Sequence, residues 1–163
     1  MDALIKAYGM KPHPEGGFYA ETYRSDGIIP KGALPPGFAG DRAFCTAILY
    51  LLPGGGRSRL HRIASDELWH FHLGGTLTVV ELGSGGRATE TRLGADLKNG
   101  ERLQHRVPGG TWFGAYVGDG VPFALVGCTV APGFDFADFE LGERAALLKD
   151  HPDERKWVEF LTR

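Results

Sequence analysis

The sequence predicts an all-β protein, an antiparallel sandwich or barrel with short helices at its N- and C-terminal ends. Three observations carry this. Glycine and proline are abundant, 25 and 10 of 163 residues, yet 42% of the chain is hydrophobic. That combination favours a turn-rich compact domain over disorder. Turn signals recur at short intervals, at Gly16-Gly17, Pro53 to Gly56, Gly74-Gly75, Gly83 to Gly86, Asn99-Gly100, Gly109-Gly110, Gly118 to Gly120 and Pro132-Gly133. The gaps between them are too short for the crossovers that parallel strands need.

In chain order, Met1 to Tyr8 reads as one or two helical turns. Strands follow at Phe18 to Tyr23, Ala43 to Leu52, Ser58 to Ile63, Glu67 to Leu73, Leu77 to Glu81, Ala88 to Leu93, Leu103 to Val107, Thr111 to Tyr116 and Phe123 to Val130. The segment Gly27 to Gly40 reads as a long surface loop, a lid or a subunit contact. Leu141 to Arg163 reads as two short helices broken at His151-Pro152, with Leu141, Ala145 and Leu148 forming a stripe that packs on the sheet. A chain of this length buries roughly 68–70% of its unfolded surface, enough for one core, so residues 1–163 read as one domain.

Charge and processing signals narrow the function classes. Eighteen Lys and Arg against 20 Asp and Glu leave a net charge of −2, so neither nucleic acid nor a membrane is an expected partner. The first residues lack the basic start and apolar run of a secretory signal, and no segment approaches a membrane helix, which predicts a cytoplasmic protein. Cys45 and Cys128 sit in apolar strands without Cys-x-x-Cys spacing and read as buried small hydrophobes.

The informative stretch runs from Gly55 to Gly74. Read as a hairpin centred on Ala64, it places His61 opposite Glu67, Arg59 opposite Trp69 and Arg57 opposite Phe71, all on one face. An imidazole beside a carboxylate can do acid–base work or hold a metal. Trp69 and Phe71 add apolar walls, and Arg57 and Arg59 add charge suited to an anionic ligand. His70 and His72 project from the opposite face, where they read as a hydrogen-bonding pair at a sheet or subunit surface rather than a metal clamp. His13, His105 and His151 read as satisfied surface histidines.

The stretch resembles the first motif of the cupin superfamily, Gly-x5-His-x-His-x3,4-Glu-x6-Gly, through Gly55, His61, Glu67 and Gly74, with Ile63 in place of the second histidine. The second motif is represented by Pro108 to Phe113, with Phe113 at the histidine position and Val117 at the asparagine. Together with His13 to Tyr19, Glu21 to Arg24 and Val130 to Phe136, these segments resemble the Cupin_5 subfamily. The resemblance implies a jelly-roll barrel with a pocket at one end, a homodimer, and a likeness to nucleotide-sugar epimerases as well as to seed storage cupins. Two of the four usual metal ligands are replaced, so no metal cofactor is expected; an ion at His61 and Glu67 is the disfavoured alternative.

Two readings of function follow. In the first, a sugar-related isomerase or epimerase, His61 is a general base, Glu67 orients it, Arg57 or Arg59 holds an anionic group, and Tyr116 returns the proton, with Tyr19, Tyr23 and Tyr50 as alternatives. In the second, Trp69, Phe71, Trp112 and Phe113 enclose a small-molecule ligand, and His61 and Glu67 orient it without turnover. A metal-dependent lyase or oxygenase is a weaker third reading.

Overall fold

Apolar alternation and closely spaced turns give two facing antiparallel sheets in a computed structural model, which describes residues 1–83 and 87–163. The part of the expected Gly83 to Gly86 turn from Ser84 onward lies outside the described residues. The larger sheet contains, in chain order, β1 (Lys11–Pro12), β2 (Phe18–Arg24), β5 (Thr46–Pro53), β7 (Asp66–Gly74), β10 (Gln104–Val107) and β12 (Phe123–Ala131). Its spatial order is β1-β2-β5-β12-β7-β10. The smaller sheet contains β6 (Arg57–Arg62), β8 (Leu77–Glu81), β9 (Thr89–Leu93), β11 (Phe113–Val117) and β13 (Glu140–Leu141), in the order β13-β6-β11-β8-β9. The expected loop at Gly27 to Gly40 is partly ordered: β3 (Ile28–Ile29) pairs with β4 (Arg42–Ala43).

The expected hairpin does not form. β6 pairs with β11 and β13, whereas β7 pairs with β12 and β10. Residues 63–65 therefore make a corner that carries the chain from one sheet to the other, and the predicted pairs of Arg59 with Trp69 and Arg57 with Phe71 do not exist. Three contacts fix this corner. The Gly110 N–H donates to the Ile63 carbonyl at 2.7 Å, the Ser65 hydroxyl to the Pro132 carbonyl, and the Gly109 N–H to Asp66 Oδ1. A side chain at Gly109 would meet the Ala64 carbonyl oxygen at 2.3 Å, so glycine is what lets the two corners nest.

A bulge in β6 sets which of its residues face inward. Phe113 of β11 pairs with His61 and Ala115 with Ser58, so three steps of β6 oppose two of β11. The alternation is broken there. His61 and Ser58 both turn into the barrel, while Leu60 turns outward beneath the C-terminal helices.

The core between the sheets is built by Tyr50, Leu52, Trp69, Leu77, Val79 and Phe113 with their neighbours. Outside the smaller sheet, Leu60, Val80 and Leu82 are covered by Leu147, Trp157 and Leu161 of α2 (Arg144–Asp150) and α3 (Arg155–Leu161). These helices are separated at Pro152, as expected, but the buried member is Leu147; Leu148 is half-buried and Leu141 lies in β13. The expected N-terminal helix is α1 (Asp2–Tyr8), whose Leu4 and Ile5 pack with Met10, Leu51 and Leu125 on the larger sheet. No helix among the described residues is long and apolar enough to cross a membrane.

Candidate functional site

The core fills only one end of the barrel. At the other end the inward positions become polar, and a cavity of about 580 Å³ opens between the sheets. Strand alternation supplies its walls: Tyr19 and Glu21 from β2, Thr46 and Tyr50 from β5, Glu67 from β7 and Cys128 from β12. His61 enters from the facing sheet. The segment after β12 roofs the cavity with Phe134, Phe136 and Phe139, whose rings pack edge to face at interplanar angles of 82° and 71°.

The carboxylate that meets His61 is Glu15, not Glu67. His61 Nε2 lies 3.0 Å from Glu15 Oε2, with both side chains almost fully buried. Glu15 sits in the tight turn between β1 and β2, which depends on glycine. Gly16 and Gly17 have φ of 122° and 67°, and a side chain at Gly16 would strike the Arg57 carbonyl oxygen at 2.2 Å. Arg59 holds this turn: its N–H donates to the Glu15 carbonyl at 2.9 Å and its guanidinium to the Pro14 carbonyl. Glu15 lies within the His13 to Tyr19 segment of the cupin resemblance, which assigns it no role. A lone acid in a proline- and glycine-bounded turn was the available signal.

Hydrogen bonding fixes the proton count of the pair. His61 Nδ1 lies 2.7 Å from the Arg59 carbonyl oxygen, which can only accept, so Nδ1 carries a proton. Burial pushes the His61 imidazole down to about 4, leaving it neutral with an unprotonated Nε2. Burial also raises the Glu15 carboxyl above its ordinary value, opposed first by His13. The arrangement that satisfies both is a Glu15 O–H donating to His61 Nε2, while Glu15 Oε1 accepts from the Ser58 hydroxyl at 2.9 Å. His13, expected on the surface, is buried beside them. Its Nδ1 accepts the Glu15 N–H at 3.4 Å, and burial holds its pKa below the ordinary value.

Glu67 lines the cavity from the opposite sheet and is 8% exposed. Burial, and next the Glu15 carboxyl, push its pKa up to about 8. Among the described residues it makes no salt bridge. Its neighbour Cys128 is buried as expected but also lines the cavity, with its thiol held protonated by burial and by Glu67.

The remaining candidates lie elsewhere. Arg57 turns outward, its guanidinium 4.1 Å from the Phe160 ring centroid and donating to the Phe160 carbonyl. Trp69 and Phe113 are core side chains, although Phe113 also packs against the His61 ring at 4.1 Å. The Trp69 indole N–H is buried without a hydrogen-bond partner among the described residues. Phe71 packs on the core, and Trp112 packs on the outer cluster beneath the Arg62 guanidinium. Tyr116 faces outward, stacked on Trp157, with its hydroxyl 3.4 Å from Glu90. Of the alternative tyrosines, Tyr19 and Tyr50 line the cavity and Tyr23 is exposed.

His70 and His72 are not among the cavity-lining side chains. His70 is held by Thr129 and Gln104, and His72 packs over Gly127 of the adjacent strand. His105, expected on the surface, is mostly buried and bonds Glu81 at 2.6 Å.

The donor set does not fit the metal that cupin motifs usually hold. Ile63 lines the cavity and the Phe113 ring lies against His61 at the two replaced positions. Among the described residues, no three His, Cys, Asp or Glu side chains are placed to share an ion.

Comparison with known proteins shows what the chain is similar to. A family model described as Cupin superfamily (DUF985), Cupin_5, matches residues 2–142. The Saccharomyces cerevisiae protein called Uncharacterized protein YML079W is 30% identical over 147 residues, covering 85% of this chain and 73% of that protein. The crystal structure of protein SO0799 from Shewanella oneidensis is 41% identical, with a TM-score of 0.86 over 99% of this chain and 96% of that one. A hypothetical protein from Leishmania major is 31% identical, with a TM-score of 0.87 over 99% and 97% of the two chains.

Proposed function

Since the chain belongs to the Cupin_5 (DUF985) family of the cupin superfamily, we propose that it binds a small molecule in the barrel cavity and moves a proton on it without a metal. The observation that carries this reading is the buried contact of 3.0 Å between His61 Nε2 and Glu15 Oε2. With its shared proton in place the pair is an acid. Once it has released that proton, two lone pairs face each other across the contact, and the pair becomes a base.

In that state it takes a proton from a carbon next to a carbonyl. The C–H bond breaks, an N–H or O–H bond forms, and the electron pair moves onto the carbonyl oxygen as an enolate. Returning the proton to the other face or to a neighbouring carbon completes an isomerisation, with no change of oxidation state. A sugar-related epimerase is one instance of this chemistry. An anionic sugar would have to bind without Arg57 and Arg59, neither of which lines the cavity. The homodimer is part of the same proposal, and analytical ultracentrifugation tests it.

A second reading, a binding protein without turnover, is favoured by one feature. The pair's polar atoms are already engaged, Nδ1 by the Arg59 carbonyl and Oε1 by Ser58, which suits a rigid wall as well as a catalyst. Proton NMR of candidate ligands incubated with the protein in D2O separates the two. Isomerase chemistry exchanges a carbon-bound proton for deuterium, and His61→Ala or Glu15→Gln lowers that rate by about 10²- to 10⁴-fold. A ligand that binds and returns unexchanged supports the second reading.

A further inference from the structure

Two features of the cavity are left incomplete by the protein's own contacts. The first is a stacked ring pair whose outer member is half exposed. The His13 and Phe136 rings are near parallel, 28° apart, with centroids separated by 6.1 Å. Phe136 lines the cavity yet leaves 50% of its surface exposed, whereas Phe139 closes on the His61 ring at 5.4 Å. A flat ring held between two others needs about 7 Å, twice the carbon contact distance. The centroid separation is an upper bound on the gap between the planes, so Phe136 has to swing outward by about 1 Å or more to admit a ring, and its exposed side leaves room for that. The second is Glu67, more than nine-tenths buried, lining the same cavity and without a cation partner among the described residues.

One ligand chemistry completes both. We propose that the cavity takes a planar lactam heterocycle, its ring inserted between His13 and Phe136 and its N–H and C=O edge paired with the Glu67 carboxyl. As an acid, Glu67 donates its O–H to the lactam oxygen and accepts the lactam N–H on its other oxygen, a two-point match that a hydroxyl-rich sugar does not make. The elevated Glu67 pKa keeps that donor in place at neutral pH. The cavity volume suits a one- or two-ring ligand with a substituent. This inference rests on the cavity being the ligand site and names the class of molecule it holds.

Titration calorimetry with uracil and hypoxanthine tests it, with 1,3-dimethyluracil and methyl β-glucoside as controls. The lactams bind, the N-methylated ring binds at least tenfold more weakly, and the glucoside does not compete. Phe136→Leu, an exposed and conservative change, weakens lactam binding at least tenfold. Glu67→Leu abolishes it, and Glu67→Gln, whose amide can make the same two bonds, preserves it. Equal affinity for uracil and its dimethyl form, tighter binding of the glucoside, no effect of Phe136→Leu, or no lactam binding at 10 mM overturns the inference. Lactam binding without deuterium exchange leaves it standing and removes only the isomerase reading. Exchange on a sugar with no lactam bound does the reverse.

Discussion

Replacing Glu67 by glutamine should change how stability depends on pH, and the size of the change follows from the burial of that carboxyl. In the folded protein Glu67 holds its proton up to about pH 8, against an ordinary value of 4.5. Below pH 4.5 folded and unfolded chains both carry the proton, so the group costs nothing. Between 4.5 and 8 the unfolded chain releases it while the folded chain keeps it, so wild-type stability falls as pH rises. The loss accumulates at about 1.4 kcal/mol per pH unit, to about 5 kcal/mol by pH 8. Glutamine has the same shape and no proton to lose. Glu67→Gln should therefore match wild type near pH 4.5 and exceed it progressively to pH 8. The neutral His61 is present in both proteins and drops out of the difference. Urea unfolding of the two at pH 5, 6.5 and 8 measures the gap, and parallel pH curves would refute a buried, protonated Glu67.

Three further outcomes are expected. Gly16→Ala drives a methyl into the Arg57 carbonyl at a positive φ, so it should cost about 2 kcal/mol or more in thermal unfolding and abolish deuterium exchange by displacing Glu15. Asp138→Ala removes one partner of the ion pair with Arg42, whose side chains are 5% and 4% exposed. It should cost about 3 kcal/mol in urea unfolding and speed ligand release measured by stopped flow, because Asp138 anchors the segment that carries Phe136. Tyr116→Phe removes a hydroxyl that meets only Glu90 outside the barrel; stability should stay within about 0.5 kcal/mol and exchange should be unchanged.

The strands, the end helices and the inward set Glu67, Trp69 and Phe71 were legible because each depends on local alternation. Apart from Tyr116, the failures share a physical origin. A three-residue turn between two amphipathic strands looks the same whether it closes a hairpin or turns a corner between sheets, since the difference is decided by partners far along the chain. Pairing His61 with Glu67 was wrong in that way, although both do enter one cavity from facing walls. Arg57 was misplaced by the bulge, which resets alternation between Ser58 and His61 with no glycine on β6 itself; the glycine packed against it, Gly114, lies on β11, far along the chain. Tyr116 was avoidable. It stands an odd number of residues from the inward Phe113, so simple strand parity puts it outside. Glu15 and His13 lie in a turn whose approach to β6 is a tertiary event, and nothing in their immediate neighbours shows where that turn will press.

The extra residue in β6 also gives adjacent side chains separate duties. Leu60 seats the C-terminal helices, with its carbonyl accepting the Gly142 N–H at 2.7 Å and its side chain packed in one cluster with Leu147, while the very next residue aims the imidazole. Shortening the protein before α2 would thus be felt at the acid–base pair through a single peptide unit. A tail that looks like scaffolding is mechanically in series with the chemistry, and trimming it should detune proton transfer before it unfolds the barrel.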